Sequence, residues 1–221
     1  DNPVVDMTAN GTHNQPAGTW SDDSSLSFIT TESLCEGYNL EDFCDRLREH
    51  YLRHHWTPYG RLVHLENSTK NAIERLSRGV SYENSGDHDY ATGNGALMRI
   101  LPLAFHTLDD EPKMRFKKIK EISSITHSND KSVLACFIYI ELCIQLIKGE
   151  KKLIAYKKMQ DNVKSFLDSM EFDSNVVKAF DRILINSITS YFEDEIKASC
   201  YVVHSLEAVI WSFMKSDNYK D

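Results

Sequence analysis

Apolar residues in this chain recur at helical spacing and nowhere alternate as they would along a half-buried strand. Leu40, Phe43, Cys44, Leu47 and Tyr51 fall on one helical face. Val177, Phe180, Leu184 and Ile188 share another, and Val202, Leu206, Val209 and Phe213 a third. The strongest run, Val133 to Ile147, is apolar on nearly every side, with Glu141 and Gln145 as its polar members. A helix of that kind belongs at the centre of a bundle. It is also shorter than the roughly 20 apolar residues that a membrane span requires. The fold class is therefore all-α, and with no repeat, linker or low-complexity tract the expectation is one domain over residues 1–221.

Local signals divide the chain further. The first 25 residues are rich in Gly, Asn, Thr, Asp and Pro and read as loop, with Ser24 or Ser25 capping a helix through Leu26, Phe28 and Ile29. The stripe from Leu40 runs to about Trp56, where Thr57-Pro58-Tyr59-Gly60 stops it. Ser68 or Thr69 caps a helix through Ile73 and Leu76 that ends near Gly79. A polar loop, Ser81 to Gly95, leads into Ala96 to Leu101, halted by Pro102. Lys113 to Ser124 forms a basic helix, and Ser128 or Asn129 caps the central apolar one.

Charge and cysteine usage exclude several functions. A net charge of −8 would repel a phosphate backbone, which argues against nonspecific nucleic-acid binding. Five cysteines without a CxxC pair make a poor disulfide framework and fit a reducing, cytoplasmic setting. The opening Asp-Asn-Pro has neither the charged start nor the apolar block of a signal peptide. His50 and His54 have metal-ligand spacing, but the neighbouring arginines point to a solvated face.

Three polar clusters precede helices, where free N–H groups favour anions. In the first, Gly18-Thr19-Trp20-Ser21-Asp22-Asp23-Ser24, a hydroxyl and two carboxylates supply hard oxygen donors suited to Mg²⁺ or Mn²⁺. The same residues also make an ordinary capping segment, and on spacing alone that reading prevails. In the second, Gly93-Asn94-Gly95, the glycines permit close backbone approach to a ligand or simply a turn. The third, Thr126-His127-Ser128, offers a histidine to a ribose or phosphate, or a bystander beside a cap.

Taken in order, Gly18 to Ser24, then Gly93-Asn94-Gly95-Ala96-Leu97-Met98-Arg99-Ile100, then Thr126-His127-Ser128 before an apolar helix resemble the ADP-ribosylglycohydrolase family. The resemblance implies an orthogonal multi-helix bundle with a divalent-metal centre, Mg²⁺ or Mn²⁺, at the bottom of an ADP-ribose cleft. It implies Ser21, Asp22 and Asp23 as metal ligands, and Asp22 or Asp23 as acid or base. By the same resemblance Gly93, Asn94, Gly95 and His127 contact the ligand, and the reaction is hydrolysis of a glycosidic bond at the distal ribose. The partner implied is an ADP-ribosylated protein or an ADP-ribose-containing small molecule.

Two family features are not matched: a Gly-rich helical segment at the start and an Asp-x-Asp-Thr motif at the end. The expectation is thus a chain truncated at both ends, or an excised segment, with an incomplete metal site. Three functions stay open at this point: an active hydrolase completed by other residues, a degenerate relative that binds without turnover, and a helical interaction domain.

Overall fold

The computed structural model describes residues 6–11 and 13–218; the loop reading of 1–5 and 12 and the closing residues 219–221 lie outside the described residues. Among the described residues ten α-helices form a multi-helix bundle: α1 (Asp22–Cys35), α2 (Leu40–Arg53), α3 (Asn67–Ser77), α4 (Pro102–His106), α5 (Pro112–Ser124), α6 (Asp130–Ile147), α7 (Lys152–Asp168), α8 (Ser174–Lys178), α9 (Asp181–Leu184) and α10 (Val202–Lys215). Among the described residues the only β pairings are isolated bridges, so the all-α expectation holds.

The apolar run that the sequence marks as central is α6. Thirteen of its eighteen residues are buried, and it packs against α4, α5, α7 and α10. The Asn129 side chain accepts a hydrogen bond from the Lys131 amide and so starts the helix. Cys136 and Cys143 both lie inside. Where α5, α6 and α7 meet, Phe116, Phe137, Phe166 and Phe172 form an aromatic cluster, with Phe116 edge-on to Phe137 at 5.3 Å.

Helix α1 has no clean apolar stripe, and the reason it can still be buried is local. Buried Thr30 donates to the Leu26 carbonyl at 2.8 Å, which satisfies its hydroxyl without water, and Ser27 and Thr31 make the same four-back contact nearer the surface. The helix begins at Asp22, ahead of the expected Ser24 or Ser25 cap. Asp22 and Asp23 thereby occupy the first turn, where carboxylates suit the positive end of the helix dipole.

Other boundaries also moved. Helix α2 ends at Arg53 rather than Trp56, because His54 takes a left-handed conformation (φ 62°). Pro102 does not halt a helix but starts one: Leu97–Arg99 is a short 3₁₀ turn, and Pro102 stands in the first turn of α4. Val177 to Ile188 is not one helix. Fully buried Phe180 (φ −106°, ψ 12°) breaks it into α8 and α9, with Ile188 in a following 3₁₀ turn. His50 is not on a solvated face; it is buried, and its Nδ1 lies 2.7 Å from the His55 carbonyl.

A buried ion pair locks α5 to α6. Arg115 contacts Glu141, and it also donates to the Thr107 and Asp110 carbonyls. The second Glu141 oxygen accepts from Asn162 of α7 at 3.2 Å. Removing one partner leaves the other charge uncompensated in the core. Glu141→Leu should therefore cost about 3–5 kcal/mol in urea denaturation, and Arg115→Met/Glu141→Leu should recover most of it.

Candidate functional site

The three polar clusters, far apart in sequence, come together around a residue outside all of them, Glu66. It stands at the N-cap of α3, two residues ahead of the earlier of the expected caps, Ser68 and Thr69. Its carboxylate accepts from the Ser68 amide (2.9 Å), the Thr69 amide (2.8 Å) and the Thr69 hydroxyl (3.0 Å). Its own amide donates to Asp22 Oδ2 at 3.2 Å, which ties the first cluster to it. On its other side His127 Nε2 approaches Glu66 Oε2 at 3.5 Å, which brings in the third cluster.

The second cluster enters through its glycines. A Cβ on Gly95 would lie 2.7 Å from His127 Cε1 and 3.1 Å from Glu66 Oε2, so only glycine permits this approach. The absent side chain makes room for His127 and Glu66 themselves. A Cβ on Gly93 would have Glu66 Oε1 and His127 Nε2 at 3.8 Å, and Asn94 between them is half-buried. The loop is anchored at both ends. Val202 donates to the Thr92 carbonyl (2.9 Å), and the backbones of Asp87 and His127 pair through Ser128 N to Asp87 O (3.1 Å).

Beneath this lies Arg99, fully buried at the end of the second cluster. Its Nη2 donates to the Thr126 hydroxyl (2.8 Å) and the Ile122 carbonyl (3.1 Å), and its guanidinium lies over the Phe43 ring. No carboxylate pairs with it among the described residues. Burial, partly offset by the nearby Cys136 and Cys44, pushes it down to about 10, still cationic at neutral pH.

The Thr126 hydroxyl lies 2.8 Å from His127 Nδ1. Because that oxygen already accepts from Arg99, its own proton is free to go to Nδ1. With that donation the ring proton stands on Nε2, facing Glu66. Burial pushes His127 down to about 4; the Glu66 charge opposes this and the Arg99 charge adds to it. For Glu66, burial pushes the carboxyl up, but the Ser68 and Thr69 donors and the His127 ring outweigh it and hold it below the ordinary range.

Asp22 turns away from Ser21 and Asp23, which pair with each other. Asp22 is buried and turned inward, with His64 Nδ1 at 3.1 Å from both of its oxygens. Asp23 is exposed and accepts from the Ser21 hydroxyl at 2.6 Å. A cleft of about 460 Å³ opens beside Ser21, lined by His13, Pro16, Gly18, Thr19 and Trp20 among others. A larger cavity of about 640 Å³, lined by Asp110, Arg115 and Gln145, is built from α5, α6 and α7 and includes none of the three clusters. Hard oxygen donors of this type suit Mg²⁺ or Mn²⁺. Yet among the described residues no three His, Cys, Asp or Glu side chains gather around a point where an ion could sit. The three candidate ligands by themselves do not make a cage.

The all-α bundle thus gathers carboxylates, a glycine loop and a buried histidine at one place. Residues 1–221 match the model of the ADP-ribosylglycohydrolase family, and the chain belongs to that family. It is similar to two proteins named ADP-ribosylarginine hydrolase Tri1. It is 25% identical over 222 residues to the one from Pseudomonas putida (strain GB-1) and 27% identical over 224 residues to the one from Serratia proteamaculans (strain 568). Each similarity covers 99% of this chain and 56% of the relative, so the chain spans about half the length of the curated relatives it matches. A solved structure titled ADP-ribosylglycohydrolase-related protein complex superposes with a TM-score of 0.77 at 22% identity, over 100% of this chain and 68% of that one. That likeness shows the fold.

Glu66, His64, Arg99 and Thr126 were not singled out in the sequence as site residues. The available signal for Glu66 was a carboxylate just ahead of the Asn67-Ser68-Thr69 helix start. The electrostatics of His127 lead to a pH prediction. The ring is neutral when folded but protonates near 6.5 when unfolded, so stability present above about pH 6.5 is lost as pH falls through about 4. The loss should reach up to about 3 kcal/mol, and His127→Gln should show a shallower decline in denaturation between pH 8 and pH 4.

Proposed function

We propose that this chain forms part of a hydrolase that cleaves ADP-ribose from arginine side chains of modified proteins. The observation that carries this reading is the family match across residues 1–221. The choice of arginine rests on the two curated relatives, both named for ADP-ribosylarginine hydrolysis. An ADP-ribose-containing small molecule is the alternative substrate of the same chemistry. Five free cysteines suit a reducing cytoplasm, and among the described residues no helix is long and apolar enough to cross a membrane.

Breaking a ribosyl bond builds positive oxocarbenium character on the sugar, which nearby carboxylates stabilise. In this reading Asp23, exposed and paired with the Ser21 hydroxyl, is the carboxylate that accepts a proton from the attacking water. Asp22 accepts from the Glu66 amide through Oδ2 and so positions the start of α1 against Glu66. Gly93, Asn94, Gly95 and His127 contact the ligand. Mg²⁺ or Mn²⁺ would be held by Ser21, Asp22 and Asp23 with ligands beyond them, and would supply Lewis-acid orientation of the ribose hydroxyls.

A second reading, in which the chain binds ADP-ribose without turnover, is favoured by the turning of Asp22 away from Ser21 and Asp23. Calorimetric titration of ADP-ribose with Mg²⁺ or EDTA tests the common part. Binding should require Mg²⁺ and weaken at least tenfold in Asp22→Asn, which preserves side-chain shape. Absence of binding to the folded protein in either condition would contradict both readings. Release of ADP-ribose from an ADP-ribosylated arginine peptide separates the two.

A further inference from the structure

The cavity of about 640 Å³ built from α5, α6 and α7 takes no part in the three-cluster site. Two of the charged side chains around it are already paired. Arg115 is held by Glu141 and by the Thr107 and Asp110 carbonyls, and the Asp110 carboxylate meets Lys118 at 2.8 Å. Gln145 is different. It lines the cavity, is only 8% exposed, and its side-chain amide has no hydrogen-bond partner among the described residues. A buried amide of that kind is expensive to leave unmet, so its donor and acceptor are directed to whatever enters the cavity.

The other ionisable side chains of the lining balance one another. Lys113 and Lys148 stand against Asp109 and Glu111, and none of the four makes an ion pair among the described residues. A ligand of one sign would be attracted by one pair and repelled by the other, whereas a molecule carrying both signs meets both. The polar groups also come from different elements. Lys148 lies three residues beyond Gln145, one turn further along the end of α6, so its ammonium and the Gln145 amide are neighbours. Asp109 and Glu111 belong to the loop between α4 and α5. Leu108, Ile144 and Phe166 give the wall an apolar part.

We propose that this cavity binds a free α-amino acid with an apolar side chain. Its carboxylate accepts from the Gln145 amide beside Lys148, and its ammonium lies by Asp109 and Glu111. Its side chain rests on Leu108, Ile144 and Phe166. A cavity of this size is ordinary for a small-molecule site. The site shares no residue with the three clusters and stands independently of the proposed hydrolase activity.

The experiment is calorimetry with L-leucine and two analogues that each keep one of its charges: isocaproate, which lacks the ammonium, and isoamylamine, which lacks the carboxylate. L-Leucine should bind with a Kd below about 1 mM, and each analogue at least tenfold more weakly. Gln145→Leu should weaken L-leucine binding at least tenfold while melting no lower than the unmodified protein, because it removes an unpartnered buried amide at nearly constant size. Asp109→Asn/Glu111→Gln should reverse the preference and bind isocaproate more tightly than L-leucine. Absence of L-leucine binding to the folded protein would overturn the proposal. So would isocaproate binding as tightly as L-leucine to the unmodified protein, or unchanged L-leucine affinity in folded Gln145→Leu.

Discussion

The arrangement of the candidate site depends on an arginine that water cannot reach. Arg99 sits at the end of the Gly93–Arg99 loop, and its charge is met by a carbonyl, a hydroxyl and an aromatic face rather than a carboxylate. Leaving such a cation poorly partnered is expensive, so the groups that do partner it are held firmly. They come from different parts of the chain: Ile122 from α5, Thr126 from the loop after it, and Phe43 from α2. One side chain thus fixes the second cluster against the third and both against the bundle.

From that anchor a chain of contacts runs outward to the surface. Arg99 donates to the Thr126 hydroxyl, that hydroxyl lies in hydrogen-bond contact with His127 Nδ1, and His127 presents Nε2 to Glu66. Glu66 in turn holds Asp22 through its backbone amide and starts α3 with its side chain. Each step limits the protonation or orientation of the next. The Ser27 hydroxyl adds a shorter link from α1 to the second cluster by sharing its proton between the Asp23 carbonyl at 2.8 Å and the Met98 carbonyl at 3.1 Å. Hydrophobic burial assembles the helices, but these polar contacts decide how their ends face one another.

The fold was largely legible in the sequence, since helical periodicity marks α2, α5, α6 and α10, and Asn129 marks the start of α6. Boundaries were less so. The buried α1 is patterned by back-bonded hydroxyls rather than by apolar spacing, and Phe180 interrupts a stripe that looks continuous in one dimension. The three motif clusters were visible as loops before helices and as a family resemblance. Their convergence was not, because it depends on Glu66, a residue that carries no motif, and on loop-to-loop backbone pairing of Asp87 with His127 and Gly93 with Tyr201. The buried state of His50 was hidden for a similar reason: its ring meets the His55 carbonyl, which only the left-handed turn at His54 brings back to it.

The most direct test of this account is the tautomeric state of His127, read from long-range ¹H–¹⁵N NMR spectra of the ring at neutral pH. The contact chain predicts a neutral imidazole with its proton on Nε2 and an unprotonated Nδ1 that accepts from Thr126. A proton on Nδ1, or a charged ring at pH 7, would contradict it, because the Arg99-to-Glu66 chain could not then exist as described.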